Sequence, residues 1–270
     1  MDAQHQHLAY LPPEIDHLYG PNVHILSDPL ALTMLARLGQ KGVVQPEVGR
    51  LVDGLYRTLA HIAIAAEFPR EVRAVPTRMV DLTPRGIWTG ETVAAGTSTV
   101  VVALARAGLL PAQVTFEFLN QILEPSSVRQ DHLSLGRQLD GTGRVTGSAL
   151  GAAKIGGSID GSILLIPDPM GATGSTISAA LRHYQDVVVG TPRKTIAMHL
   201  IVTPEYILHL RHHHPEVVVY AFRVDRGLSP EDVLQTKPGT RWSEEIGLTE
   251  HQYIVPGAGG LGEVLNNSWV

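Results

Sequence analysis

The chain has 270 residues, a net charge of -5, 44% hydrophobic residues and no cysteine. That length holds one large domain or two small ones with ample apolar material for a core, and the acidic balance argues against a nucleic-acid binder that works through a basic surface. The lack of cysteine excludes a disulfide framework, a thiol nucleophile and a cysteine-based zinc site.

Residues 1–22 are polar, rich in His and carry Pro12 and Pro13, which predicts a loose N-terminal arm. No basic patch leads into an apolar stretch there, so the start does not read as a signal peptide. No apolar run approaches the length of a bilayer span. A cytoplasmic protein without membrane or nucleic-acid partners is expected.

Helical periodicity begins at 28–38, with Ser27 or Asp28 as the N-cap. A second amphipathic helix is predicted over 46–67, apolar at Val48, Leu51, Leu55, Leu59 and Ile62. The β-branched run 99–105 is short enough for a buried strand, and a helix follows over 109–123. Residues 125–161 are rich in Gly and Ser without a clear period, which reads as a long loop or a twisted hairpin arm. Three strand-like runs then follow. The run 163–166 leads into a helix at 174–184, and 195–202 into a helix at 204–213; 217–224 leads into Gly227. Apolar strands alternating with helices imply right-handed crossovers and a mostly parallel sheet. In such sheets ligands bind at the C-terminal ends of the strands, and Arg106, Asp168 and Asp225 lie near such ends.

The most informative segment is Asp168, Pro169, Met170, Gly171, Ala172, Thr173, Gly174, Ser175 and Thr176, between an apolar strand and a helix. Gly171 and Gly174 permit tight turning and close approach of a ligand to the backbone. Amide groups at the helix start favour an anion, and the hydroxyls of Thr173, Ser175 and Thr176 add donors. Each charge-assisted bond to a phosphate contributes roughly 1.5–3 kcal/mol. The competing reading is an ordinary helix cap with turn glycines. The loop lacks the Lys of a Walker A loop, so it does not read as an ATPase. Residues 257–262 fit G-x-G-x-x-G, but Pro256 precedes them and too little chain follows for a dinucleotide fold. His212, His213 and His214 point in different directions on a helix and read as a solvated helix end rather than a metal site.

The loop 168–176 resembles the D-P-M-x-A-T-G-G-S loop of uracil phosphoribosyltransferases. The run Leu104, Ala105, Arg106, Ala107, Gly108, Leu109 is similar to the L-R-A-G-L element of that family, and 253–259 is similar to its Y-I-[IV]-P-G-x-G segment. Asp28-Pro29-Leu30, His214-Pro215 and Asp225-Arg226-Gly227-Leu228 are weaker echoes in the family order. The resemblance spans roughly residues 20–270.

The resemblance implies an α/β fold of the type I phosphoribosyltransferase kind: a mostly parallel central sheet flanked by helices, with a β arm over about 125–161 and a C-terminal hood. One domain over 23–270 is expected, with an insertion at about 229–248 that either covers the site as a lid or decorates the surface. The implied reaction joins uracil to 5-phosphoribosyl 1-diphosphate (PRPP), giving UMP and diphosphate in pyrimidine salvage. Asp168 and Arg106 would be the catalytic residues, with Asp168 on the ribose hydroxyls. Arg106 and Arg129 would bind PRPP together with Pro169, Met170, Gly171, Ala172, Thr173, Gly174, Ser175 and Thr176. Uracil would be read by backbone groups of Ile254, Gly259, Gly260 and Leu261. Mg²⁺ would be held mainly by the diphosphate and waters, with no direct protein ligand. A homodimer is expected. Some family members respond to GTP, so a nucleotide effector such as GTP is a candidate partner, although no residue marks a site for it.

Three departures stand out. Gly260 occupies a position where the family usually has Asp, Leu261 replaces a small Ala, and Arg129-Gln130-Asp131-His132 keeps only one of two family acids. They leave open a transferase for another base, or a non-catalytic regulator that binds PRPP or a nucleotide.

Overall fold

The apolar runs expected to be strands assemble into an 8-stranded sheet in the computed structural model, which describes residues 5, 7–139 and 145–268. The elements run β1 (Val23–Ile25), α1 (Pro29–Leu38), α2 (Glu47–Glu67), β2 (Arg70–Pro76), β3 (Ile87–Val93), β4 (Thr99–Ala105) and α3 (Leu109–Leu119). They continue with β5 (Val128–Leu139), β6 (Val145–Lys154), β7 (Ile163–Pro167), β8 (Met170–Gly171), α4 (Ser175–Val187) and β9 (Lys194–Val202). The last are α5 (Pro204–His213), β10 (Val218–Val224), α6 (Glu231–Leu234) and α7 (Leu261–Val264). The sheet order is β1-β10-β9-β7-β4-β5-β6, with β8 paired to β9. Among the described pairings of this sheet, β5 with β6 is antiparallel and the others are parallel.

Strand β4 shows why its sequence is apolar throughout. Side chains alternate across a strand, and here both faces are covered. Val101 and Ala103 pack into a cluster with α1, α2 and α3, while Val100, Val102 and Leu104 pack into a second cluster with α4 and α5. The same split recurs in β7, where Ile163 and Leu165 face the first cluster and Leu164 and Ile166 the second. Asp28 caps α1 as expected, accepting from the amides of Leu30 (2.9 Å) and Ala31 (3.0 Å). Helix α3 stops at Leu119, short of the expected 123: the amides of Gln121 and Ile122 donate only three residues back, to the Phe118 and Leu119 carbonyls, and the Glu124 amide donates to the carbonyl of Ala95.

The segment 125–161 resolves toward the hairpin reading: β5 and β6 pair antiparallel, and the base of β5 also joins β4 in parallel. Residues 140–144 of this arm, like 1–4 and 6 of the N-terminal one, lie outside the described residues. The N-terminal segment differs from a loose arm in its later part. Tyr19 is buried and donates its hydroxyl to Glu245 (2.5 Å), and the Leu18 amide donates to the Pro238 carbonyl (2.8 Å). The segment thus docks on residues 229–248. Glu245, itself buried, also accepts from Arg226 Nη1 and the Gly239 amide, both at 2.8 Å, and Trp242 Nε1 donates to the Pro204 carbonyl of α5. A buried carboxylate is tolerated only with such donors, and these hold residues 229–248 against α5 and the N-terminal segment. The β2–β3 hairpin forms a separate two-stranded sheet that the sequence reading did not anticipate. No helix among the described residues is long and apolar enough to cross a membrane.

Candidate active site

At the C-terminal ends of β4, β5 and β7 lies a cleft of about 540 Å³, within the range of small-molecule sites. Its walls are the turn after β4, the loop after β7 and the loop leading into α7. Of the residues expected in the site, Arg106, Asp168, Met170, Ala172, Thr173, Ser175, Thr176, Ile254, Gly259, Gly260 and Leu261 line it. Pro169, Gly171 and Gly174 shape the loop from behind.

The loop's form follows from its glycines and its backing. A Cβ built on Gly171 would lie 2.9 Å from Val202 Cγ1 and 3.2 Å from the Tyr206 ring, so only glycine lets the loop sit this close to β9 and α5. Gly174 has φ +81, and a Cβ there would meet His209 Cδ2 at 2.6 Å. Thr203, the N-cap of α5, donates its hydroxyl to the Ala172 carbonyl (2.6 Å) and its amide to the Gly171 carbonyl (3.1 Å). Thr173 Oγ1 and Ser175 Oγ are 3.0 Å apart at the start of α4. Gly174→Ala combines a left-handed backbone with this collision. It is expected to destabilise the fold by about 1–3 kcal/mol, which thermal melts check.

Asp168 sits partly open at the cleft floor. Its Oδ1 receives the Met170 amide at 3.4 Å, and burial pushes its carboxyl up to about 6. Behind it is a neutral network. His199 is fully buried, and burial holds its imidazole down at about 4. Its Nδ1 is 2.5 Å from the Asp168 carbonyl, which can only accept, so Nδ1 carries the proton. Its Nε2, 2.5 Å from Tyr206 Oη, then accepts the Tyr206 hydroxyl. Burial, aided by the Asp168 charge, keeps the Tyr56 and Tyr206 hydroxyls protonated. This network holds the backbone of Asp168 and leaves its carboxylate to the cleft.

Arg106 follows a cis peptide bond after Ala105. Its Nη1 donates to Ser268 Oγ at 2.9 Å, and its Nη2 lies 3.9 Å from Glu263 Oε1. The guanidinium therefore bridges the β4 turn to the chain around α7. The C-terminal loop is held from below by Asp225, which is buried. Asp225 accepts two bonds from Arg223 (2.5 and 2.8 Å) and one from the Gly257 amide (2.7 Å). Gly257 and Gly259 have φ of +60 and +72, and Gln252 at the cleft wall has φ +63. Leu261 is 2% exposed and shares the core with Ile254. Its extra bulk relative to Ala is thus absorbed mostly by the core.

Arg129 does not reach the cleft. Strand register explains why: Arg129 pairs with Val100 near the start of β4, whereas Ala105 at the end of β4 pairs with Ser134. Its guanidinium instead binds the buried Asp131 (3.1 and 3.3 Å) and the carbonyls of Ser158 (2.7 Å) and Gly157 (3.0 Å). The β5 residues on the cleft wall are Leu135 and Gly136. The arginine that follows them on the strand, paired in register with Ser148, is Arg137. Gln252 and Glu263 are further cleft residues that the sequence reading did not single out, and Tyr253, the first residue of the motif 253–259, also lines the cleft. His212 and His213 form an exposed helix end as expected, but His214 is buried.

Among the described residues no group of three or more His, Asp or Glu side chains could hold a metal ion. The described lining instead offers two acids, Asp168 and Glu263. One or two carboxylates beside a phosphorylated substrate suit Mg²⁺, which binds largely through substrate phosphates and waters.

The family model described as uracil phosphoribosyltransferase matches residues 25–240. A protein of Rhodococcus jostii named uracil phosphoribosyltransferase is 25% identical over 246 residues, 90% of this chain and 97% of that protein. Another so named, from Myxococcus xanthus, is 26% identical over 245 residues, 91% of this chain and 97% of that protein. The solved structure of an Aquifex aeolicus protein superposes with a TM-score of 0.66 at 22% identity, covering 90% of this chain and 97% of that one. That likeness shows a shared fold.

Proposed function

We propose, on the premise that this chain belongs to the uracil phosphoribosyltransferase family, that it transfers the 5-phosphoribosyl group of PRPP to uracil, giving UMP and diphosphate. The observation that carries the reading is the convergence of Arg106, the 168–176 loop and the 254–261 loop on one cleft.

The chemistry follows from what each wall offers. The bond from C1 of the ribose to the diphosphate oxygen breaks with its electron pair going to the diphosphate, N1 of uracil bonds to C1, and the N1 proton passes to solvent. Positive charge develops on the ribose ring and negative charge on the departing diphosphate, so fixed donors and cations aimed at the diphosphate lower the barrier. Arg106 supplies a planar fork that matches phosphate oxygens. Asp168 accepts from the ribose hydroxyls as a carboxylate, and its negative charge also favours the cationic ring. The Thr173–Thr176 turn receives the 5-phosphate. Uracil presents N–H and carbonyl edges to backbone groups of Ile254 and Gly259 to Leu261, a readout that survives side-chain change. Asp168 and Glu263 are the acids of the described lining that would face a Mg²⁺ brought by the diphosphate, and the ion would supply charge neutralisation of the leaving group.

The insertion 229–248 stands clear of the cleft wall, so it gives no support to an altered base. Incubation with PRPP, Mg²⁺ and a panel of uracil, cytosine, orotate, adenine and hypoxanthine tests the reading. Diphosphate release with uracil is expected. Release with another base alone, or PRPP binding without turnover by any base, would overturn it.

A further inference from the structure

Helix α5 backs the 168–176 loop and meets it with residues three apart, which share one helix face. Thr203, at its N-cap, binds the Gly171 and Ala172 carbonyls. The Tyr206 ring backs Gly171, and the His209 ring backs Gly174 while its Nε2 lies 2.8 Å from Ser178 Oγ of α4. The helix is itself anchored, because Glu205 Oε1 accepts the amides of Gly247 (2.9 Å) and Leu248 (3.2 Å). Tyr206 reaches the loop at two separate points. Its ring packs on Gly171, and its hydroxyl, through His199, reaches the Asp168 carbonyl. Both side chains are buried and neither lines the cleft, so any effect on a ligand passes through the loop.

We infer that Tyr206 and His199 are positioning residues for the transfer: together they fix the spacing between Asp168, which accepts from the ribose, and the turn that receives the 5-phosphate. The relay has one polarity. The Asp168 carbonyl takes Nδ1–H, and the Tyr206 hydroxyl takes up the remaining lone pair on Nε2, so ring orientation and tautomer are fixed together. Loss of the hydroxyl leaves Nε2 as a buried, unpaired acceptor and frees the ring to tilt or to exchange tautomers. The consequence falls on Asp168, whose main chain is otherwise tied here by its amide bond to the Met198 carbonyl (3.0 Å). A ligand bonded to both Asp168 and the 173–176 turn senses a small change in their separation. Diphosphate, held on the Arg106 side of the cleft, does not. The inference rests on this loop holding the ribose 5-phosphate part of PRPP, as proposed above.

Binding of ribose 5-phosphate and of diphosphate to the full chain, each measured alone by titration calorimetry in MgCl₂, separates this role from a structural one. Tyr206→Phe keeps the ring on Gly171 and removes only the hydroxyl. Its affinity for ribose 5-phosphate is expected to fall about tenfold, the scale of one lost hydrogen bond, with diphosphate affinity within about twofold of the unmodified protein. His199→Leu should give the same split. His199→Asn in the Tyr206→Phe background should restore most of the ribose 5-phosphate affinity, because the short amide puts a donor where Nδ1 stands. Nitrogen NMR of the imidazole supplies a second readout: His199 should be the Nδ1–H form in the unmodified protein and a mixture of tautomers in Tyr206→Phe. Equal weakening of both ligands, unchanged ribose 5-phosphate binding, or failure of the asparagine to rescue would overturn the inference. So would absence of ribose 5-phosphate binding to the unmodified protein. The expected split in a protein that turns over no base would leave the inference standing and remove the transferase reading.

Discussion

Asp168→Asn is expected to lower kcat/KM for PRPP by about two to three orders of magnitude and, at pH 7.5, to make the protein more stable. The loss follows from replacing an ionised group with two accepting oxygens by a neutral amide with one, whose NH₂ turns a donor toward the second ribose hydroxyl. Hydrogen bonds to charged groups contribute roughly 1.5–3 kcal/mol each, and the carboxylate's charge also favours the cationic ring in the transition state. The gain follows from burial. Desolvation raises the Asp168 carboxyl from 3.8 to about 6 in the folded protein. The folded state then holds this proton more tightly than the unfolded chain does. The contribution of Asp168 to stability is therefore greatest below pH 4, falls as pH rises through the interval from about 4 to about 6, and stays lower above it. The ionised carboxylate costs about 1–3 kcal/mol at neutral pH, the lower part of the range reflecting its partial opening to the cleft. Thermal melts should show the Asn variant ahead by a few degrees at pH 7.5, with the gap closing at pH 4. In parallel, kcat/KM for PRPP in the unmodified protein should fall below about pH 6 as Asp168 protonates, and the variant should lack that limb. A variant that melts earlier at pH 7.5, or that keeps turnover, would refute the assignment. Such an exchange of stability for a charged group at the cleft is the usual sign of a functional site.

The same residue shows what was legible in the chain. A strand buried on both faces must be apolar throughout, so the end of β7 and the position of Asp168 were visible from a few residues. Gly171 and Gly174 were visible for the same reason: each meets a steric demand local to the loop. Arg129 shows the opposite case. An arginine near a strand says nothing about which end of that strand it occupies, and only the pairing with Val100 puts it at the far end from the cleft. Its carboxylate partner, Asp131, was read as the one acid kept of two in the family pattern; it is buried and accepts from Arg129, the Tyr184 hydroxyl and the Gly156 amide. The insertion was ambiguous because its anchor, Glu245, finds Tyr19 and Arg226 at long and short range together, contacts that no local pattern encodes. Glu263 was not singled out because only the folded turn that begins at Gly260 brings it to the cleft.

Arg106→Ala should produce the second large effect, about a hundredfold loss in kcat/KM for PRPP with little change in KM for uracil. The fork makes two charge-assisted bonds to a diphosphate, each contributing roughly 1.5–3 kcal/mol. Part of this is offset, because in the free protein the guanidinium already donates to Ser268 Oγ (2.9 Å) and lies near Glu263. Those contacts are exposed by about half on the arginine side (47%) and so contribute little. The exchange from a weak surface pair to a fully charged leaving group therefore remains strongly favourable. Because negative charge grows on the diphosphate as the bond to C1 breaks, kcat should fall as well as KM rise. Product inhibition discriminates this role from a general loss of structure: inhibition by diphosphate should weaken by about the same factor, while inhibition by UMP, which lacks the leaving group, should hardly move. Arg106→Lys keeps the charge but not the two-point geometry and should fall between the two. Equal weakening of diphosphate and UMP inhibition would mean that the β4 turn had collapsed, and unchanged PRPP kinetics would mean that the diphosphate lies elsewhere in the cleft.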